Sequence, residues 1–237
     1  MQSDPLQQTL QSVFGFDSLR SGQQPVIEAV MSGHSAAAIF PTGSGKSLCY
    51  QLPATLLPNL TLVISPLLAL MKDQLSFLQS RGIPAASVDS SQSREETQQV
   101  MAGVKSGKIK ILMISVERLK NERFREFIRQ IPISLMVVDE AHCISEWGHN
   151  FRPDYLKLPQ YQQDLNIKQS LLLTATATPA VIEDMQKKFN IASEHITVTG
   201  FYRPNLNISV IPCEEANKPL NLAILLRLHQ NFRPSST

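Results

Sequence analysis

The residues Ala36-Ala37-Ala38-Ile39-Phe40-Pro41-Thr42-Gly43-Ser44-Gly45-Lys46-Ser47-Leu48-Cys49-Tyr50-Gln51 join an apolar run to a glycine-rich turn and then to a helical pattern. Gly43 and Gly45 let the backbone turn tightly and approach an anion. Successive N–H groups, backed by a helix N-terminus, then form a cradle for phosphate. Lys46 has the reach for β- and γ-phosphates, and the Ser47 hydroxyl is a ligand for Mg²⁺. The common form of this loop has glycine where Phe40 stands, so only its second half is present. An ordinary glycine turn ahead of a helix is the plainer alternative.

Outward from this stretch the same layout repeats. Apolar runs stand at 36–40, 60–65, 109–115, 133–139 and 169–175, with no strict polar alternation. Such runs suit strands buried on both faces, as in a parallel sheet. Helical patterns lie between them near 67–80, 93–107, 121–130 and 178–190. The one at 93–107 opens on a serine cap followed by acids and closes on Gly107. Strand and helix in alternation predict an α/β fold: a doubly wound, mainly parallel sheet flanked by helices. Ligands of such sheets bind at the carboxyl ends of the strands. Past residue 200 the pattern predicts one more strand, one more helix and a polar tail.

One of those strand ends is costly. The run Met136-Val137-Val138 stops on Asp139 and Glu140, with His142 and the only tryptophan, Trp147, close behind. Two carboxylates at the end of a buried strand need a cation. In P-loop proteins a carboxylate there holds the Mg²⁺ that bridges the phosphates, which suits Asp139. Glu140 is then placed to orient and deprotonate the attacking water. His142 is a polar core contact or a relay out of the nucleotide site. A solvated acidic turn is the alternative when this pair is read apart from the glycine loop.

Bulk properties narrow the class. With 237 residues, 43% hydrophobic and 18% charged, the chain has material for one good-sized core or two small ones. A formal charge of +2 leaves any nucleic-acid surface to be local. Cys49, Cys143 and Cys213 are odd in number and show no CxxC spacing, which argues against a disulfide framework or a zinc site. No apolar run approaches the ~20 residues a bilayer needs, and the N-terminus lacks a signal pattern. The expectation is a soluble intracellular protein without membrane contact.

Taken together, 40–47, 139–142 and 170–178 resemble motifs I, II and III of superfamily 2 helicases, whose first loop position is often not glycine. Further stretches resemble RecQ-family DNA helicases: FGFDSLRSGQ (14–23), CYQLPA (49–54), VISPLLALMKDQ (63–74), SVERL (115–119), CISEWGHNFRPDY (143–155) and FYRPNL (201–206). The likeness covers about 14–206. It implies a RecA-like P-loop domain over 1–208, with 209–237 a linker toward a second RecA-like domain that this chain lacks.

The resemblance also implies residue roles. Phe16, Arg20 and Gln23 recognise adenine, Phe16 by stacking and without the hydroxyl of the tyrosine common at that place. Thr42, Gly43, Ser44, Gly45, Lys46 and Ser47 bind the phosphates of ATP. Lys46, Asp139, Glu140 and His142 form the catalytic set, with Ser47 and Asp139 on Mg²⁺. The segment after Asp139-Glu140-Ala141-His142 is an aromatic-rich loop coupling single-stranded DNA to hydrolysis. There Trp147, Phe151 and Tyr155 offer faces to bases, while His149 and Arg152 add donors. Membership of the core is the alternative for Trp147 and Phe151. Ser65, Lys72 and Gln74 line the DNA path, and Thr174 and Thr176 offer hydroxyls to the segment around His142.

The implied whole is an ATP-dependent 3′–5′ DNA helicase of RecQ type, acting on single-stranded and forked DNA in repair and recombination. The expected location is the cytoplasm and nucleoid of a bacterium, or a eukaryotic nucleus. By itself this monomeric motor half is expected to bind nucleotide weakly and unwind nothing. The alternatives are an RNA-dependent DEAH-type ATPase and a nucleotide-binding module without turnover.

Overall fold

The computed structural model describes residues 4–89, 91–148 and 151–200. His149 and everything expected beyond Gly200, including the boundary near 208 and the linker, lie outside these residues. Eight α-helices occur among them: α1 (Pro5–Thr9), extended by a π-helical turn over Leu10–Phe14, α2 (Gln23–Met31), α3 (Leu48–Leu56), α4 (Leu68–Ser80), α5 (Arg94–Lys105), α6 (Glu122–Arg129), α7 (Leu158–Asp164) and α8 (Pro179–Phe189). The strands are β1 (Ala36–Ile39), β2 (Leu60–Ile64), β3 (Ala85–Val88), β4 (Ile111–Ile114), β5 (Ile133–Val138), β6 (Ser170–Thr174) and β7 (Ile196–Val198).

They form one sheet in the order β3-β4-β2-β5-β6-β1-β7, with every pair parallel. The five strands read from the sequence are its interior. Two more, β3 and β7, add its edges.

The unbroken apolar runs have a direct explanation. Ala37, Ile39, Leu62, Ile64, Met136 and Val138 face a core closed by α5 to α8. Their neighbours Ala36, Ala38, Val63, Leu135 and Val137 face a second core closed by α1 to α4. Successive side chains of a strand point to opposite faces, so both parities must be apolar when both faces are covered.

Local signals set the helix ends. Ser93 and Glu96 make the reciprocal cap of α5, at 3.1 and 2.7 Å. Thr178 caps α8, with Pro179 at its first position. Among the described residues no helix is long and apolar enough to cross a membrane.

Candidate nucleotide and nucleic-acid site

The carboxyl ends of β1, β2, β5 and β6 bring the sequence motifs together. The loop after β1 turns on Gly43 and Gly45, both at positive φ (82° and 81°), and delivers Ser47 to the start of α3. Lys46 donates from Nζ to the Phe40 carbonyl at 2.9 Å and to that of Pro41 at 3.4 Å. Burial lowers its pKa, against the opposing pull of Glu140 and Asp139. Ser44 donates to the Pro41 carbonyl, while Thr42 is exposed at the rim.

Arg20 and Gln23, expected at an adenine edge, grip this loop. Arg20 donates from Nη1 to the Gly43 carbonyl at 2.8 Å, and Gln23 from Nε2 to the Gly45 carbonyl at 2.9 Å. Gln23 is buried, and its Oε1 accepts from the Arg20 main-chain N–H at 2.7 Å. A Cβ at Gly45 would stand 2.7 Å from Gln23 Nε2 and push this contact aside, and its φ of 81° favours glycine in any case.

Phe16 is 42% exposed and lines a groove of about 320 Å³ with Gly45, Ser47, Gln74 and Phe77. The groove thus runs from an aromatic face to the glycine loop. On its α4 wall Gln74, expected on a DNA path, accepts a hydrogen bond from the buried Tyr50 hydroxyl.

Asp139 follows β5. Its Oδ1 accepts from the Glu140 N–H at 3.0 Å and its Oδ2 from the Ser65 hydroxyl at 3.2 Å. Burial, and then the Glu140 charge, raise its pKa. Ser65 is therefore corrected from the DNA path to the support of Asp139, since it is 2% exposed and committed to that carboxylate. Lys72 stays exposed on α4.

Glu140 has a left-handed backbone (φ 50°, ψ 45°), a conformation few non-glycine residues adopt. It ends the extended course of β5 at the cap of a short 3₁₀ turn. Glu140 Oε2 lies 3.2 Å from His142 Nδ1, and the same nitrogen lies 2.9 Å from Thr174 Oγ1 at the end of β6. Thr174 donates to the Thr176 carbonyl at 2.9 Å, leaving its oxygen to accept from an Nδ1–H. Thr176 contributes this carbonyl rather than a hydroxyl.

Hydrogen bonds with the Cys143 side chain and with Glu140 push His142 up to about 9. The same His142 contact lowers Glu140. A raised histidine pKa adds stability that is complete below its ordinary value of 6.5 and is lost as pH climbs through about 9. Between those values the melting temperature of the wild type is expected to fall more steeply than that of His142→Gln. Parallel thermal-melt profiles would show that the contact adds nothing to folding.

The chain then makes a short 3₁₀ turn (Ala141–Ile144) and reaches Trp147, which is 75% exposed. The core alternative for Trp147 is thereby removed. Phe151 and Arg152 are half-buried nearby. Tyr155 is a correction: at 0% exposure it belongs to the core closed by α5 to α8 and has no face free for a base.

Comparison with known proteins agrees with this fold. The family model described as DEAD/DEAH box helicase matches residues 20–185. The ATP-dependent DNA helicase RecQ of Haemophilus influenzae is 43% identical over 211 residues, which cover 89% of this chain and 34% of that protein. The probable ATP-dependent DNA helicase RecS of Bacillus subtilis is 42% identical over 222 residues, covering 93% of this chain and 44% of that protein. The chain thus spans less than half the length of these curated relatives. The crystal structure of a hypothetical ATP-dependent RNA helicase from Sulfolobus tokodaii superposes with a TM-score of 0.60 at 20% identity, over 79% of this chain and 55% of that one. At that identity it speaks for the fold alone.

Proposed function

Because this chain belongs to the DEAD/DEAH box helicase family, we propose that it is the first, ATP-binding motor domain of a RecQ-type helicase that moves 3′ to 5′ on single-stranded DNA and opens forked duplexes. One observation carries the reading: Asp139, Glu140, His142 and the exposed Trp147 stand in one short segment, hydrogen-bonded to the end of β6. A nucleotide-side carboxylate and a base-stacking face are thereby joined through few bonds.

In this mechanism the adenine lies in the groove along Phe16, and the main chain of 43–47 receives the phosphates. Lys46 exchanges the carbonyls of Phe40 and Pro41 for phosphate oxygens. Glu140 takes the proton of the water that attacks the γ-phosphorus; the new P–O bond forms as the bond to ADP breaks, releasing ADP and phosphate. His142 and Thr174 hold Glu140 in place. Asp139 and Ser47 offer the hard oxygen donors that suit Mg²⁺, and the buried Asp139 carboxyl, raised beside Glu140, is a group that a cation would relieve. Bound there, the ion offsets charge on the phosphates.

The first motor domain is taken to extend to about residue 208, with 209–237 leading to a second such domain. That domain supplies an arginine to the γ-phosphate, a contribution of roughly 10³–10⁵ in rate in comparable NTPases. The chain alone then binds nucleotide, turns over slowly and unwinds nothing, as a monomer, with its site of action in the nucleoid or nucleus.

Trp147→Ala tests the DNA side. Stacking contributes roughly 1–3 kcal/mol per base, so affinity for a single-stranded oligonucleotide is expected to drop about 5- to 150-fold. The loss should appear in the oligonucleotide titration and not in the nucleotide titration. Equal loss of nucleotide binding would mark Trp147 as part of the nucleotide site instead, and an RNA oligonucleotide bound more tightly than DNA would favour an RNA-dependent ATPase.

A further inference from the structure

The position of Trp147 depends on a hydrogen-bond relay that ends on a different element. Its main-chain N–H donates to Ser145 Oγ at 3.2 Å. Ser145 is fully buried and donates its one hydroxyl hydrogen to Asp184 Oδ2 of α8 at 2.6 Å. Asp184 Oδ1 in turn faces Lys188 Nζ at 3.4 Å, one helical turn on. A hydroxyl has a single hydrogen and two lone pairs. While Asp184 holds that hydrogen, the Ser145 lone pairs are turned to receive the N–H of Trp147. Without an acceptor at 184 the hydroxyl can rotate and point its hydrogen at the same N–H.

The turn between these residues is tight on its own account. Gly148 donates to the Ser145 carbonyl at 3.0 Å, and a side chain on Gly148 would come within 2.2 Å of the His142 carbonyl oxygen. The segment is therefore gripped twice by one structural unit. Thr174, ending β6, holds His142, and Asp184 of the following helix holds Ser145. Charge-assisted hydrogen bonds of this kind are the stronger ones, and a buried hydroxyl deprived of its partner is costly.

We propose that Asp184 is a positioning residue for nucleic-acid binding: through Ser145 it fixes the main chain at Trp147, so that the exposed indole is presented from a set base. The proposal rests on the reading of Trp147 as a base-stacking residue.

Trp147 is the only tryptophan of the chain, so its intrinsic fluorescence reports the loop directly. Anisotropy and acrylamide quenching are measured first without nucleic acid, and a single-stranded oligothymidylate is then titrated. In Asp184→Ala the indole anisotropy falls, quenching rises and oligonucleotide affinity weakens about fivefold to tenfold, the scale of one well-made hydrogen bond, whereas Asp184→Asn, which keeps an acceptor oxygen, recovers to within about twofold of wild type. Ser145→Ala, which leaves Asp184 and Lys188 in place, reproduces the alanine result. Unchanged anisotropy in Asp184→Ala or in Ser145→Ala overturns the proposal. So does an asparagine variant as impaired as the alanine one. A loop that loosens while oligonucleotide affinity stays constant supports the positioning role and sinks the stacking role of Trp147, so the two readings fail separately.

Discussion

Replacing Lys46 with alanine is expected to lower ATP turnover by roughly 10²–10³-fold or more, the loss found when one preorganised donor to a developing charge is removed. The reason lies in what the amine does in the structure. It is half-buried, its pKa is lowered by that burial, and it donates to the carbonyls of Phe40 and Pro41. Two neutral carbonyl dipoles are modest partners for a desolvated cation, and phosphate oxygens are better ones. The amine is thus placed to exchange the carbonyls for phosphate at the proposed anion cradle. Alanine removes the charge without touching Gly43, Gly45 or their main-chain N–H groups, so the fold should persist in circular dichroism while turnover is lost. Turnover at the wild-type rate would show that the loop after β1 is not the phosphate site.

Glu140→Gln is expected to cost about 10²–10⁴-fold in turnover, the usual contribution of a positioned general base. An amide has the shape of the carboxylate but cannot take a proton from water. Three features mark this side chain. Its backbone is in the left-handed region. His142 stands 3.2 Å from its Oε2. That contact lowers its pKa, so the side chain stands as a carboxylate. Asp139, with its raised pKa and its two hydrogen bonds, has the environment of a cation ligand instead. The variant should bind nucleotide as the parent does, with the loss confined to the chemical step in a single-turnover assay. An undiminished single-turnover rate would place the base elsewhere.

The interior of the sheet is legible in the sequence because burial on both faces demands unbroken apolar runs. The edges are not. Ala85-Ala86-Ser87-Val88 is built of small residues and has one β-branched side chain, while Ile196–Val198 is three residues long. Lys46, Asp139 and Glu140 are legible because glycine spacing and an abrupt acidic pair at a strand end are local signals.

Contacts of long sequence separation are hidden from such reading. Ser145 meets Asp184 across 39 residues with no local sign of it, whereas the meeting of His142 with Thr174 across 32 residues is expected through the family resemblance. Nothing near Asp184 in the chain distinguishes it from the exposed Glu183 beside it. Tyr155 shows the converse failure. It follows an arginine and a phenylalanine in a polar stretch, which suggests an exposed aromatic, yet its ring belongs to the core. Arg20 and Gln23 stand at the site, though on the carbonyls of the loop, a placement that depends on the left-handed turns at Gly43 and Gly45.

In the proposed function the carboxylates at the end of β5 and the indole at Trp147 act as one coupled element. Coupling between two ligands is reciprocal, typically about 1–3 kcal/mol or 5- to 150-fold in affinity. The direct measurement is the affinity of the chain for a fluorescent ATP analogue with Mg²⁺, with and without saturating single-stranded oligonucleotide, paired with the converse titration. Each ligand is expected to tighten the other by the same factor, at least about fivefold, and Trp147→Ala to abolish the effect. Identical affinities in the presence and absence of the other ligand would contradict the coupling.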